Sequence, residues 1–122
     1  MEMDALIAAA QQYPAACTEQ PFGPESLCIR VGEHGPIFAN FFLPRGWVSF
    51  RCDVVQGQAW RSQFPDTVRR GYHCPPVQQP YNNTVTLDGT VPDAILLEML
   101  DHSYQRAVRS MSKTRRIEVL GS

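Results

Sequence analysis

An excess of charge of either sign is missing from this chain: its 122 residues carry 11 Lys and Arg against 12 Asp and Glu, a formal net charge of -1. That balance excludes a histone-like basic tail and a strongly acidic solvating chain. Long hydrophobic runs are missing too. The stretch Ala5 to Ala10 follows an acidic start, Met1-Glu2-Met3-Asp4, and is too short for a signal-peptide core; nothing approaches the length of a membrane span. The four cysteines, Cys17, Cys28, Cys52 and Cys74, are 11, 24 and 22 residues apart. They form no C-x-x-C pair and have no histidine pair at zinc-site spacing, so metal and redox motifs are absent. The expectation is a soluble cytoplasmic protein with reduced, mostly buried thiols. Cys74, beside His73 and near Arg69 and Arg70, is the one thiol in a setting that could lower its pKa. There are no internal repeats, and the strand-helix alternation of a parallel nucleotide-binding fold is lacking.

What is present suits one domain. With 43% apolar residues, a chain of this size buries roughly two thirds of its unfolded surface and needs no disulfide or metal to support its core. We assign residues 1–111 to a single domain and 112–122 to a C-terminal tail. Asp4 caps a first helix with Leu6, Ile7, Ala10 and Tyr13 on one face, and Pro14 ends it. A turn-rich stretch, Pro21-Phe22-Gly23-Pro24, leads to a strand at Leu27–Val31. Gly32-Glu33-His34-Gly35 makes a hairpin turn into Ile37–Phe42, and Leu43-Pro44-Arg45-Gly46 breaks the chain before Trp47–Arg51. Asp53 caps a second helix with Val55, Ala59, Trp60 and Phe64 on its inner face, stopped by Pro65. Residues 65–82 hold four prolines and read as an extended edge or an exposed, mobile loop. A strand follows at Thr84–Leu87. Pro92 then sits in the first turn of a long helix whose stripe is Leu96, Met99, Leu100, Ser103, Tyr104, Ala107, Val108 and Met111. The fold class is α+β: an antiparallel sheet of four to six strands covered by N- and C-terminal helices.

Several stretches run in the order of a known family. Pro21-Phe22-Gly23-Pro24, Val31-Gly32, Ser49-Phe50-Arg51-Cys52-Asp53, Gly71-Tyr72-His73, Asn83-Thr84-Val85 through Leu87-Asp88-Gly89-Thr90-Val91-Pro92-Asp93, and Asp101-His102-Ser103-Tyr104 resemble the MmcQ/YjbR family over about residues 3–110. The resemblance implies a CyaY-like (frataxin-like) two-layer sandwich, a proposed "double wing" DNA-binding role and no established enzymatic activity or cofactor. The chain departs from the family's usual residues at Pro36, where a basic residue is common, at Arg51, where Lys is common, and at Tyr81-Asn82, where a His-Trp pair is common. Losing that Trp removes a stacking surface. Frataxin-type iron binding is not implied, because Glu2, Asp4, Glu19 and Glu25 are too scattered to make a hard-metal surface.

The near-neutral total hides an uneven distribution. Residues 1–60 carry a net charge of -3 and residues 61–122 a net charge of +2. Arg106, Arg109, Lys113, Arg115 and Arg116 follow one another with no acidic residue between them, the first three along one helical face. They read first as a solvated helix end opposing the helix dipole and second as a contact surface for phosphates. Arg61, Arg69, Arg70, Tyr72, His73 and Tyr81 mix cations with flat rings around the Pro-rich loop, a mixture that can grip a backbone and stack a ring, or equally one in which Tyr72 and Tyr81 anchor the loop on the core while the arginines stay solvated. Arg51, at the end of a strand, reads as a further phosphate or anion ligand or as a partner for Asp53 or Asp88. These residues make weak, salt-sensitive DNA binding by a monomeric, non-enzymatic module the first expectation. The second is a small-molecule pocket built from Trp47, Trp60, Tyr72, Tyr81 and Asn83, and a third is a protein adaptor using a sheet edge. Neither a membrane nor a cofactor is expected. Asp101-His102-Ser103 is not read as a catalytic relay, since neighbouring helical side chains point about 100° apart.

Overall fold

The computed structural model of the protein describes residues 1–121. Ten elements follow in chain order: α1 (Met3–Gln11), β1 (Ala16–Glu19), β2 (Ser26–Val31), β3 (Ile37–Phe42), β4 (Trp47–Arg51), α2 (Val54–Gln63), β5 (Val68–Arg70), β6 (Asn82–Thr86), α3 (Asp93–Ser110) and α4 (Lys113–Leu120). The six strands form one sheet in the order β1-β2-β3-β4-β6-β5, with every neighbouring pair antiparallel. The α+β class and the antiparallel sheet with flanking helices therefore stand as expected.

Alternation along the strands sorts the two faces of the sheet. Ile29, Val31, Phe41, Val48, Phe50 and Val85 join Leu6 and Ala10 of α1, Trp60 of α2 and Leu96, Met99, Leu100, Tyr104 and Ala107 of α3 in a single core. Burying each large side chain contributes about 1.5–3 kcal/mol. The helices thus lie on one face, and the other face is left to loops.

Local chemistry explains the element ends. Asp53 caps α2, its Oδ1 accepting from the Gln56 amide at 2.6 Å. At α1 the expected Asp4 cap is corrected: Met3 is already helical, Glu2 holds the cap position without a side-chain bond, and Asp4 sits in the first turn. Pro92 likewise stands at the N-cap of α3 rather than inside it, with Asp93 as the first helical residue. The inner face expected for α2 holds at Trp60 and at Phe64, which packs against the core, and is corrected at Val55 and Ala59. Val55 is 82% exposed and Ala59 is exposed, while Gly57 and Trp60 are buried. A Cβ at Gly57 would lie 2.5 Å from Cys52 Sγ, so α2 approaches the sheet through the position that has no side chain.

Three elements do not appear in the pattern of the sequence. β1 and β5 have four and three residues and are strands because they pair with β2 and β6. Residues 113–120, read as tail, form α4, capped by Ser112 Oγ accepting from the Arg115 amide at 3.1 Å. Val119 of α4 packs against Gly32, whose φ of +79° and tight surroundings exclude a side chain. No described helix is long and apolar enough to cross a membrane.

Candidate functional site

The face of the sheet without helices carries the polar residues of the strands. In β4, Val48 and Phe50 enter the core, so Trp47, Ser49 and Arg51 point the other way. Pairing sets Asn40 and Thr84 on either side of Ser49, Asn82 beside Arg51, and Phe42 and Thr86 beside Trp47. Residues 71–81, between β5 and β6, fold over this surface. They are pinned where the Gly71 amide donates to Asn82 O at 2.7 Å and the Cys52 amide donates to Tyr81 O at 2.9 Å. Under this strap Ser49 and Thr84 are only 6% and 5% exposed. A cavity of about 590 Å³ remains between strap and sheet and reaches Arg106 and Ser110 of α3 past the end of the strands, with Phe22 from the β1–β2 loop on its rim.

Arg51 and Arg106 both line this cavity, together with Asn40, Ser49, His73 and Asn82, and no carboxylate does. Arg51 Nε donates to Ile37 O at 2.6 Å, which holds the stem and leaves the two terminal nitrogens for other partners. Burial lowers the pKa of Arg51, and the nearby Arg106 guanidinium lowers it further. Neither arginine has an ion-pair partner among the described residues. Two cations enclosed without a counter-charge repel one another, and an anion between them removes that cost.

Ser103 of α3 sets the position of Arg51. Beyond the Asn40–Ser49 pair the β3–β4 ladder stops. There the Arg51 amide donates to Ser103 Oγ at 2.8 Å and the same hydroxyl donates to Phe38 O at 2.5 Å. A helix side chain thus stands in for a rung of the sheet beside the cavity. The neighbouring residues go elsewhere: Asp101 accepts from Tyr13 at 3.1 Å, and His102 Nε2 accepts from the Asp53 amide at 3.2 Å. The three side chains form no relay, as their spacing requires.

His73 stands between two cavities. Its Nε2 lies 3.5 Å from Ser49 Oγ and 3.4 Å from Cys74 Sγ, and burial lowers its pKa. The second cavity, about 220 Å³, is lined by Phe42, Trp47, Arg69, Arg70, Tyr72, His73 and Thr84. Arg69 is fixed there by Thr86 Oγ1 at 2.9 Å, its guanidinium 4.7 Å from the centre of the Trp47 ring. The Cys74 thiol is pushed up by burial, the direction of an unreactive thiol rather than an activated one.

The residues expected from sequence divide into groups. Arg51, His73, Tyr81 and Arg106 meet at the first cavity, and Trp47, Arg69, Arg70, Tyr72 and again His73 at the second. The others lie apart from both. Arg109 is exposed on α3, on the His102 side, and Lys113 is exposed at the start of α4. Arg115 donates to Glu33 O at 2.8 Å and pairs with Glu118 at 3.2 Å, and Arg116 is half-buried on the same helix. Trp60 and Asn83 are corrected as pocket residues, since both lie on the helix face of the sheet. Trp60 is buried edge-on to His102. Asn83 accepts from Arg61 at 2.7 Å and donates to Gly57 O at 3.1 Å. Asn40 and Ser49, which line the first cavity, were missed. Their signal is a polar residue in an otherwise apolar strand.

Known proteins share this architecture. No protein with a curated description matches the chain. A Deinococcus radiodurans protein with the domain DUF419 superposes with a TM-score of 0.86 at 28% identity, covering 97% of this chain and 87% of its own. A Pseudomonas syringae protein superposes with a TM-score of 0.72 at 14% identity, covering 88% of this chain and 99% of its own, a likeness of fold alone. Residues 11–106 match the family model described as YjbR. With that match spanning most of its length, the chain belongs to the MmcQ/YjbR family.

Proposed function

We propose that this protein is a non-enzymatic binding module that takes an anionic ligand into the cavity enclosed by the 71–81 strap, the end of β4 and the last turns of α3. The observation that carries this reading is the pair Arg51 and Arg106, which share a cavity without a carboxylate. The cavity volume falls within the roughly 300–1,000 Å³ typical of small-ligand sites. A phosphate or carboxylate group matches the planar donor fork of arginine. The net charge of -1 argues against indiscriminate capture of polyanions and favours a local seat.

Attachment to DNA is a second reading, favoured by Arg69 and Arg70 in the adjoining cavity, which continue the line of cations. Thermal unfolding with rising pyrophosphate tests the first reading, with Arg106→Gln as the comparison. We expect stabilisation that grows with concentration, reaching about 2.7 kcal/mol at a hundredfold excess over Kd, and affinity at least about tenfold weaker in the variant, the loss of one charge-assisted bond. Absence of any shift with the wild-type protein defeats it. Labelled single-stranded and duplex DNA titrated at several salt concentrations test the second. Binding must weaken with log-log slopes of about -0.7 and -0.9 per phosphate contacted, and no binding at low salt ends that reading.

A further inference from the structure

Resting on the anion seat just described, we infer that the second cavity receives a planar ring joined to the anion through a hydroxylated spacer, the chemistry of a nucleoside monophosphate. His73 lines both cavities, so they adjoin rather than stand on separate surfaces. The smaller, at about 220 Å³, is below the size of a whole-ligand site but admits one ring. Its walls favour a flat guest. Trp47 lies edge-on to Phe42, with ring centres 6.3 Å apart. The Arg69 guanidinium lies over the Trp47 ring at 4.7 Å and Arg45 over the same ring at 5.0 Å, so Trp47 is held as a stacked wall with a planar cation on one side of the slot. Tyr72 at the border is 68% exposed, leaving an aromatic face for a guest to cover.

Strand geometry sets the spacing. Arg51, Ser49 and Trp47 alternate along one face of β4, so Ser49 lies about 7 Å from each and the ends about 13 Å apart along the backbone. Between anion seat and ring slot stand Ser49, Asn40, Thr84 and the His73 imidazole. Asn40 Oδ1 is engaged by Ser26 Oγ at 2.8 Å, which points its amide nitrogen to other acceptors. A row of hydroxyl and amide groups between two arginines and an aromatic slot matches a sugar placed between a phosphate and a base. A ring attached directly to the phosphate falls short of the slot.

Calorimetric titration with inorganic phosphate, phenyl phosphate, ribose 5-phosphate, AMP and UMP tests this. We expect AMP or UMP to bind at least tenfold tighter than ribose 5-phosphate or phenyl phosphate. Trp47→Leu and, with less risk to the fold, Tyr72→Ala should each erase most of that advantage while leaving phosphate affinity unchanged. If phosphate binds and the mononucleotides bind no tighter, the ring slot is disproved and the anion seat stands. If none of the five binds, the anion seat itself fails. A short single-stranded oligonucleotide distinguishes a free nucleotide from one within a strand. Mononucleotide binding at least as tight as the oligonucleotide's supports the free form, and binding of the oligonucleotide alone overturns the proposal.

Discussion

Ser103 and His102 are neighbours on α3 with opposite kinds of work. Ser103 is fully buried, and its hydroxyl serves two backbone groups of different strands. Ser103→Ala leaves the Arg51 amide and the Phe38 carbonyl unpaired, each a loss of about 1–3 kcal/mol if water cannot reach it. We expect a lower urea midpoint with an unchanged slope. His102 instead links folding to pH. Burial lowers its pKa, opposed by Asp53 and Asp101 and aided by Arg106 and Arg109; burial lowers His73 as well. The folded chain therefore binds fewer protons than the unfolded chain just below pH 6.5, so both groups contribute stability that is complete above about pH 6.5 and is lost as pH falls toward the lowered folded values. Melting temperature should fall between pH 7 and 5, and His102→Gln should flatten part of that slope; a flat wild-type profile refutes the assignment. The Asp53 cap was legible because a capping side chain acts on an amide three residues away. The role of Ser103 was not, because its partners lie 65 and 52 residues away in sequence.

Among the elements, α2 shows how packing overrides pattern. Glycine inside a helix costs about 0.5–1 kcal/mol relative to alanine. At Gly57 that cost is offset by close approach to Cys52 and by the bond from Asn83 to the Gly57 carbonyl. Gly57→Ala should therefore destabilise, by about 1–3 kcal/mol as overpacking does, where propensity alone predicts a gain. Denaturant unfolding decides the sign. The same logic explains what could be read ahead. Ile37–Phe42, Trp47–Arg51 and the stripe of α3 carry their own periodicity. β1, β5 and α4 are short, and the surfaces they meet decide their form.

At the scale of the molecule, the sheet packs the α-helices of its core on one face and leaves the polar strand residues and the 71–81 strap to the other. The core half was legible from apolar spacing, and the short stretches resembling the MmcQ/YjbR family placed the chain before any coordinates. The site was legible in its residue types, cations and rings near the Pro-rich segment. Its membership was not, because a strap crossing the sheet decides which side chains share a cavity. That strap has a further consequence. Its ends are tied by main-chain bonds at Gly71 and Tyr81 to the surface it spans, so any movement is confined to the residues between them. Phe22 borders one cavity and Tyr72 the other, both 68% exposed, so if the proposed ligand enters between strap and sheet, substitutions at these two rims should alter its rates of arrival and departure more than its affinity.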